Sequence, residues 1–143
     1  MGDYSVFPGA THKDERGKLS FFNTLDLSQI KRMYQIEPAN EGIIRAWQGH
    51  KIEKKWFYCL QGSFIINLAK VTNFEDPDTD AMISHHIITA RSPTVLYVEG
   101  GYASGIKAIE PSSKVLVFSN LTAEASKNDD YRFKEDFWKA VWH

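Results

Sequence analysis

An all-β fold, a sandwich or jelly-roll barrel of about nine short strands, follows from three features of this 143-residue chain. Aromatic residues make up 13% of it, well suited to pleated, half-buried surfaces. Val, Ile and Thr recur in runs of strand length. Gly, Pro, Asn and Asp separate those runs, and no long helical period competes with them.

Taken in order, the runs predict strands at Leu19–Phe22, Arg32–Ile36, Gly42–Trp47, Lys55–Leu60, Ser63–Leu68, Ser84–Thr89, Thr94–Tyr97, Ala103–Ile109 and Lys114–Ser119. Gln61-Gly62 stands between two apolar runs and reads as a two-residue hairpin. Phe74–Asp80 is an acidic, Pro-containing loop, and Glu99-Gly100-Gly101 forces a turn. Helical signals are few. Leu25–Arg32 can open a short helix after Thr24 or Asp26. In the tail, Tyr131–His143, the i,i+4 pairs Phe133/Phe137 and Trp138/Trp142 predict a short amphipathic C-terminal helix. No repeat or linker divides the chain, so residues 1–143 are expected to form one domain.

Composition narrows the function. The 17 Lys and Arg against 18 Asp and Glu leave a formal charge of −1, which argues against nucleic-acid binding through a basic surface. The one cysteine, Cys59, permits no internal disulfide and no Cys-based zinc site; in a run of apolar neighbours it reads as a buried, inert thiol. Apolar runs are too short for a membrane span, and the first residues lack a secretory pattern. A cytoplasmic protein is expected.

Chemistry concentrates in Gly42–Gly62. Strand alternation sends Arg45 and Trp47 to one side and Ile44 and Gln48 to the other, and a turn at Gly49 re-aims His50. Arg45, Gln48, His50 and Lys55 thereby gather at a barrel mouth. A neutral imidazole removes a proton α to a ketone, and fixed cations hold the enolate oxygen. The bland alternative is a solvated edge with a turn histidine. Metal ligation is not expected: His50, with Glu53 three residues on, falls short of a three-ligand set. His85 and His86 are neighbours on one strand and point to opposite faces.

Arg45-Ala46-Trp47-Gln48-Gly49-His50-Lys51 followed by Cys59-Leu60-Gln61-Gly62-Ser63 resembles the dTDP-4-keto-6-deoxyglucose 3,4-ketoisomerases, the WxcM/FdtA-like proteins of the RmlC-like cupin superfamily. Asp14-Glu15-Arg16-Gly17 and Val98–Gly105 resemble blocks of the dTDP-4-dehydrorhamnose 3,5-epimerases. Asp130-Tyr131-Arg132-Phe133 with Phe137-Trp138 resembles the tail of ketoisomerase-like sugar cupins. The resemblance implies a double-stranded β-helix, the cupin jelly roll. It implies a nucleotide-linked 4-keto-6-deoxy sugar as substrate, no cofactor, and a homodimer in which an N-terminal strand (Tyr4, Val6, Phe7) completes the neighbour's sheet. It further implies His50 as base in a 3,4-ketoisomerisation through an enediol. Arg45 and Lys55 would stabilise the enolate and Tyr34 would assist at the hydroxyl, with Gln48, Arg16, Lys18 and Tyr102 on the substrate. Departures stand beside these matches. Gln48 replaces the first His of the pair, Val117 falls where epimerases carry an acidic Tyr, and Ser104 falls where they carry a His. A 3,5-epimerase, or a sugar-nucleotide-binding cupin without catalysis, are the alternatives.

Overall fold

The computed structural model describes residues 3–143. Its strands are β1 (Tyr4–Pro8), β2 (Ala10–Asp14), β3 (Gly17–Phe21), β4 (Arg32–Ile36), β5 (Ile44–His50), β6 (Lys55–Gln61), β7 (Ser63–Lys70), β8 (Ile83–Thr89), β9 (Thr94–Val98), β10 (Tyr102–Ala108), β11 (Lys114–Ser119) and β12 (Tyr131–Arg132). Two five-stranded antiparallel sheets, ordered β1-β9-β6-β11-β4 and β12-β5-β10-β7-β8, face each other, and β2-β3 forms a separate hairpin. Inward side chains of both sheets, among them Phe57, Phe64, Ile66, Leu68, Leu96, Ile106, Val115 and Val117, make the barrel core. This is the jelly roll that the residue pattern predicts.

Four local expectations are corrected. Gln61-Gly62 is not a hairpin, because β6 and β7 lie in different sheets. Gly62 instead turns the chain from one sheet to the other at φ 73°, where a Cβ would lie 2.0 Å from Ser113 Oγ. Leu25–Arg32 holds turns rather than a helix. The tail is not helical either: the helix is α1 (Ala123–Ser126), capped by the Thr122 hydroxyl and followed by a 3₁₀ turn at Lys127–Asp129. The N-terminal strand pairs with β9 of its own chain, Val6 opposite Leu96.

The tail aromatics pack, but as an irregular strap. Trp138, Phe133, Phe137 and Trp142 join Trp47, Val71, Phe74 and Ala103 in a second apolar cluster on the outer face of the β5 sheet. Backbone carbonyls of the strap accept hydrogen bonds from side chains of the body: Glu135 from Trp47 Nε1 (3.0 Å), Val141 from Asn67 Nδ2 (2.7 Å) and Trp142 from Lys107 Nζ (2.9 Å). These bonds give carbonyls of the strap partners outside any helix.

Candidate active site

β5 carries an extra residue. Against β10, Gln48 is opposite Ser104 and Arg45 is opposite Ile106, so three steps on β5 match two on β10. Such a bulge breaks strand alternation. Ile106 belongs to the barrel core, and paired residues share a face, so Arg45 and Gln48 both turn inward. Trp47 goes outward instead, edge-on to Trp138 with centroids 5.4 Å apart. The alternation expected from the sequence, Arg45 with Trp47, is thereby corrected. Gly105 faces the bulge, where a Cβ would meet Ala46 Cβ at 2.8 Å. Gly49 is a paired strand residue rather than a turn, which leaves His50 on the inner face at the strand's end.

Arg45 and Gln48 open onto a cavity of about 690 Å³, walled also by Arg32, Tyr34, Lys55, Phe57, Ser104, Lys127, Asp130 and Arg132. Five of its side chains are cationic and one, Asp130, is anionic. Arg45 and Lys127 enter none of the ion pairs among the described residues. Lys55, buried at the floor, donates to Gln48 Oε1 (3.1 Å), and Gln48 Nε2 donates to Asp130 Oδ1 (3.3 Å). Burial raises the Asp130 carboxyl, but hydrogen bonds from Arg132 (2.7 Å) and Gln48 outweigh it and hold the group below its ordinary value. Tyr34 lies across from Val117 in the register of β4 and β11, with Lys55 Nζ 5.7 Å from its ring centroid. A phenol therefore stands beside the position where the resemblance looked for one at Val117.

Behind Lys55 lies a buried polar knot. Asp129 accepts backbone N–H bonds from Lys51 (2.7 Å), Ile52 (2.9 Å) and Glu53 (2.7 Å), which fixes the turn between β5 and β6. Glu53 accepts from Arg32 Nη2 (2.9 Å), Ser119 Oγ (2.5 Å) and Ser126 Oγ (2.6 Å). Burial pushes the Glu53 carboxyl up, yet these hydroxyls, with His50 and Lys55 nearby, hold it below its ordinary value.

His50 Nδ1 lies 2.6 Å from the Asp129 carbonyl oxygen and 3.3 Å from Glu53 Oε1. A carbonyl only accepts, so Nδ1 carries the proton and the neutral ring has its lone pair at Nε2. Burial, then the charge of Lys55, lowers the imidazole pKa against the opposing pull of Glu53 and Asp129. Nε2 is buried without a partner among the described residues. His50 does not line the large cavity. It lines a second, small one of about 10 Å³ with Glu53, Val98, Glu99, Tyr102 and three residues that also wall the large cavity: Lys55, Phe57 and Ser104. Gly101 N–H donates to the His50 carbonyl (2.8 Å), and Gly100 passes so close to Lys51 that a Cβ would lie 2.1 Å from its carbonyl oxygen.

Of the residues singled out from sequence, Arg45, Gln48, Lys55 and Tyr34 share the large cavity, while His50 and Tyr102 share the small one. Arg16 and Lys18 line neither: they sit on the β2–β3 hairpin, where Arg16 is exposed and paired with Asp14 at 2.7 Å. His85 and His86 face opposite ways, to Asn67 and to Tyr4. Burial pushes the Cys59 thiol up to about 11. Sequence reasoning missed Arg32, Lys127 and Asp129, and gave no role to Asp130 or Arg132. It also missed that His50, Glu53 and Asp129 bring ligand-type atoms within 4.8 Å of one another. All four carboxylate oxygens of that trio already accept hydrogen bonds.

Residues 3–142 match the family model FdtA, described as WxcM-like, C-terminal. The chain belongs to that family. No curated protein matches its sequence. Among solved structures it is similar to a 3,4-ketoisomerase from Helicobacter canadensis (TM-score 0.73, 21% identity, 94% of each chain covered). It is also similar to the dTDP-4-dehydrorhamnose 3,5-epimerase of Bacillus anthracis with TDP and PPi bound (TM-score 0.75, 18% identity, 94% of this chain and 80% of that one). A third is QdtA, a sugar 3,4-ketoisomerase from Thermoanaerobacterium thermosaccharolyticum in complex with TDP (TM-score 0.70, 19% identity, 94% and 90%). These likenesses establish the RmlC-like cupin fold. Among the described residues no helix is long and apolar enough to cross a membrane.

Proposed function

We propose that this FdtA-family chain isomerises a nucleotide-linked 4-keto-6-deoxy sugar, moving the carbonyl from C4 to C3 through an enediol. The observation that carries the reading is the His50 ring, held by the Asp129 carbonyl with its Nε2 lone pair free, behind the floor of a cavity rich in uncommitted cations. Arg45 and Lys127 suit a diphosphate, and two structural relatives hold TDP. In the reaction His50 accepts the C3 proton and the C3–H electron pair becomes the C3–C4 double bond. Lys55 meets the charge that develops on O4. Tyr34 passes the O3 proton to O4, and His50 returns its proton to C4 as the O3 carbonyl forms. Atoms balance without an added reactant. A homodimer in the cytoplasm belongs to the same reading; sedimentation at twice the 16.4 kDa chain mass checks the dimer.

The test is incubation with TDP-4-keto-6-deoxyglucose in deuterated water, followed by NMR. Ketoisomerisation predicts a 3-keto product, with deuterium at C4 in proportion to exchange of the His50-bound proton with solvent. Exchange confined to C3 and C5 would make the chain a 3,5-epimerase. His50→Asn is expected to lower turnover by about 10²–10⁴-fold, because general-base catalysis is worth that much, with TDP affinity nearly unchanged. Wild-type turnover in that variant would remove His50 as base.

A second reading, a sugar-nucleotide-binding cupin without catalysis, is favoured by one observation. The side chain spanning the large cavity between Lys55 and Asp130 is Gln48, which cannot act as a base near neutral pH. TDP binding with no 3-keto product and no exchange at any sugar carbon would establish that reading.

A further inference from the structure

Lys55 combines burial with the lack of an ionic partner. It is 5% exposed, yet it enters none of the ion pairs among the described residues. A buried ammonium is ordinarily paired with a carboxylate. Glu53 lies nearby, but its oxygens are taken by Arg32, Ser119 and Ser126. The one hydrogen bond that the Lys55 ammonium makes among the described residues goes to a neutral group, Gln48 Oε1 (3.1 Å). The other end of the same amide donates to Asp130 Oδ1 (3.3 Å), which also accepts from Arg132 Nε (2.7 Å). An ammonium only donates and a carboxylate only accepts, so the two partners fix which way round the amide lies. The backbone of Gln48 is fixed as well, paired with Ser104 of β10 on one side and Arg132 of β12 on the other. Arg32 and Tyr34 from β4, Arg45 from β5 and Lys127 from the turn after α1 face the same cavity, and none of them bonds to the amide.

We propose that Gln48 is a positioning residue: its amide is an uncharged bridge that holds the Lys55 ammonium at the cavity floor without cancelling its charge. A carboxylate at this position would accept the same hydrogen bond and neutralise the ammonium. A protonated imidazole would not accept at all. The amide accepts at every pH and stands between Lys55 and Asp130, the one anionic side chain of the cavity wall. An ammonium has three N–H bonds and Gln48 uses one, so two remain for an oxygen of a ligand. An uncancelled charge held in place away from water acts most strongly where negative charge develops, here on O4 of the sugar in the transition state. Gln48 therefore stands behind the group that meets the substrate, rather than on the substrate as the resemblance implies. The catalytic consequence rests on the proposed ketoisomerase reading; the bridge itself does not.

Two variants of the full chain test this. Gln48→Glu has the same shape and keeps an oxygen for Lys55, but gives the ammonium a counter-charge; Gln48→Met removes the bridge. With TDP-4-keto-6-deoxyglucose, both are expected to lower kcat at least about tenfold while KM changes by less than about threefold, because the charge on O4 develops only in the transition state. Wild-type kcat in Gln48→Glu would overturn the need for a neutral bridge. A loss carried by KM alone would make Gln48 a substrate contact and overturn the positioning role. A reading independent of activity comes from the ¹⁵N signal of the Lys55 ammonium in the free protein, which should shift in Gln48→Met. An unmoved signal, in protein whose NMR dispersion shows a native fold, would overturn the bridge whatever the kinetics. If the wild-type chain binds TDP but forms no 3-keto product and exchanges no sugar proton, the function and the catalytic role fall together, and the bridge is judged on the ammonium signal alone.

Discussion

In the wall of the large cavity, Arg45 and Lys127 have no carboxylate partner among the described residues. At the turn between β5 and β6, one layer deeper, Glu53 and Asp129 have every carboxylate oxygen hydrogen-bonded, and the Arg32 guanidinium joins them from the cavity side. Both regions are built from charged side chains. The difference is commitment. Charges already paired within the chain hold a shape, while unpaired charges in a concave wall are available to a ligand. His50 sits at the boundary: Nδ1 belongs to the knot and Nε2 does not.

Substitutions should separate the two regions. The largest expected effect on stability is Glu53→Gln, which strips the charge from a fully buried acceptor and leaves Arg32 without its partner. Breaking a buried pair costs about 3–5 kcal/mol, to be read from the shift in a urea unfolding curve; an unchanged midpoint would mean that the knot is not a structural element. Asp129→Ala removes three backbone caps at once and should cost about 2–3 kcal/mol. The backbone carbonyl that holds His50 Nδ1 is retained in that variant, so the ring tautomer should persist in ¹⁵N spectra. Arg45→Ala belongs to the other region. It should leave unfolding within about 0.5 kcal/mol of wild type and weaken TDP binding by about tenfold, some 1.4 kcal/mol, with a smaller salt dependence in calorimetric titrations.

The smallest effect is a pH slope. His50 has its pKa lowered by burial and then by Lys55, and His86 by burial and then by His85, so the folded chain resists protonating either. As pH falls through the ordinary value of 6.5, the unfolded chain binds these protons first and stability declines. Glu53, also lowered, extends the decline below 4.5. Unfolding midpoints at a series of pH values should therefore fall from pH 7 downward, and fall less steeply in His50→Asn. A flat profile would contradict the lowered imidazoles.

How far the sequence reaches is visible in particular elements. Arg32–Ile36 and Lys114–Ser119 were legible to the residue, and most other strands to within one or two positions, because alternation and β-branched composition act over a few neighbours. Arg45, Gln48 and Lys55 were legible as a group through their spacing around one turn, although the reason they converge was not: the bulge that turns Arg45 and Gln48 to the same face depends on β10. The tail was misread as a helix because i,i+4 aromatics satisfy the helical pattern equally well when they pack as a strap on a sheet.

By itself the sequence determined the all-β class, the approximate positions of nine of the twelve strands and the residue types gathered near His50, all of which rest on local chemistry. Tertiary structure alone decided which sheet each strand joins, that Gly62 turns a corner rather than a hairpin, and which side of the wall His50 faces. The knot shows the reason. Glu53 meets Ser119, Ser126 and Asp129 across 66, 73 and 76 residues of chain, and no spacing within a strand or turn encodes a contact that forms only when two sheets close on each other.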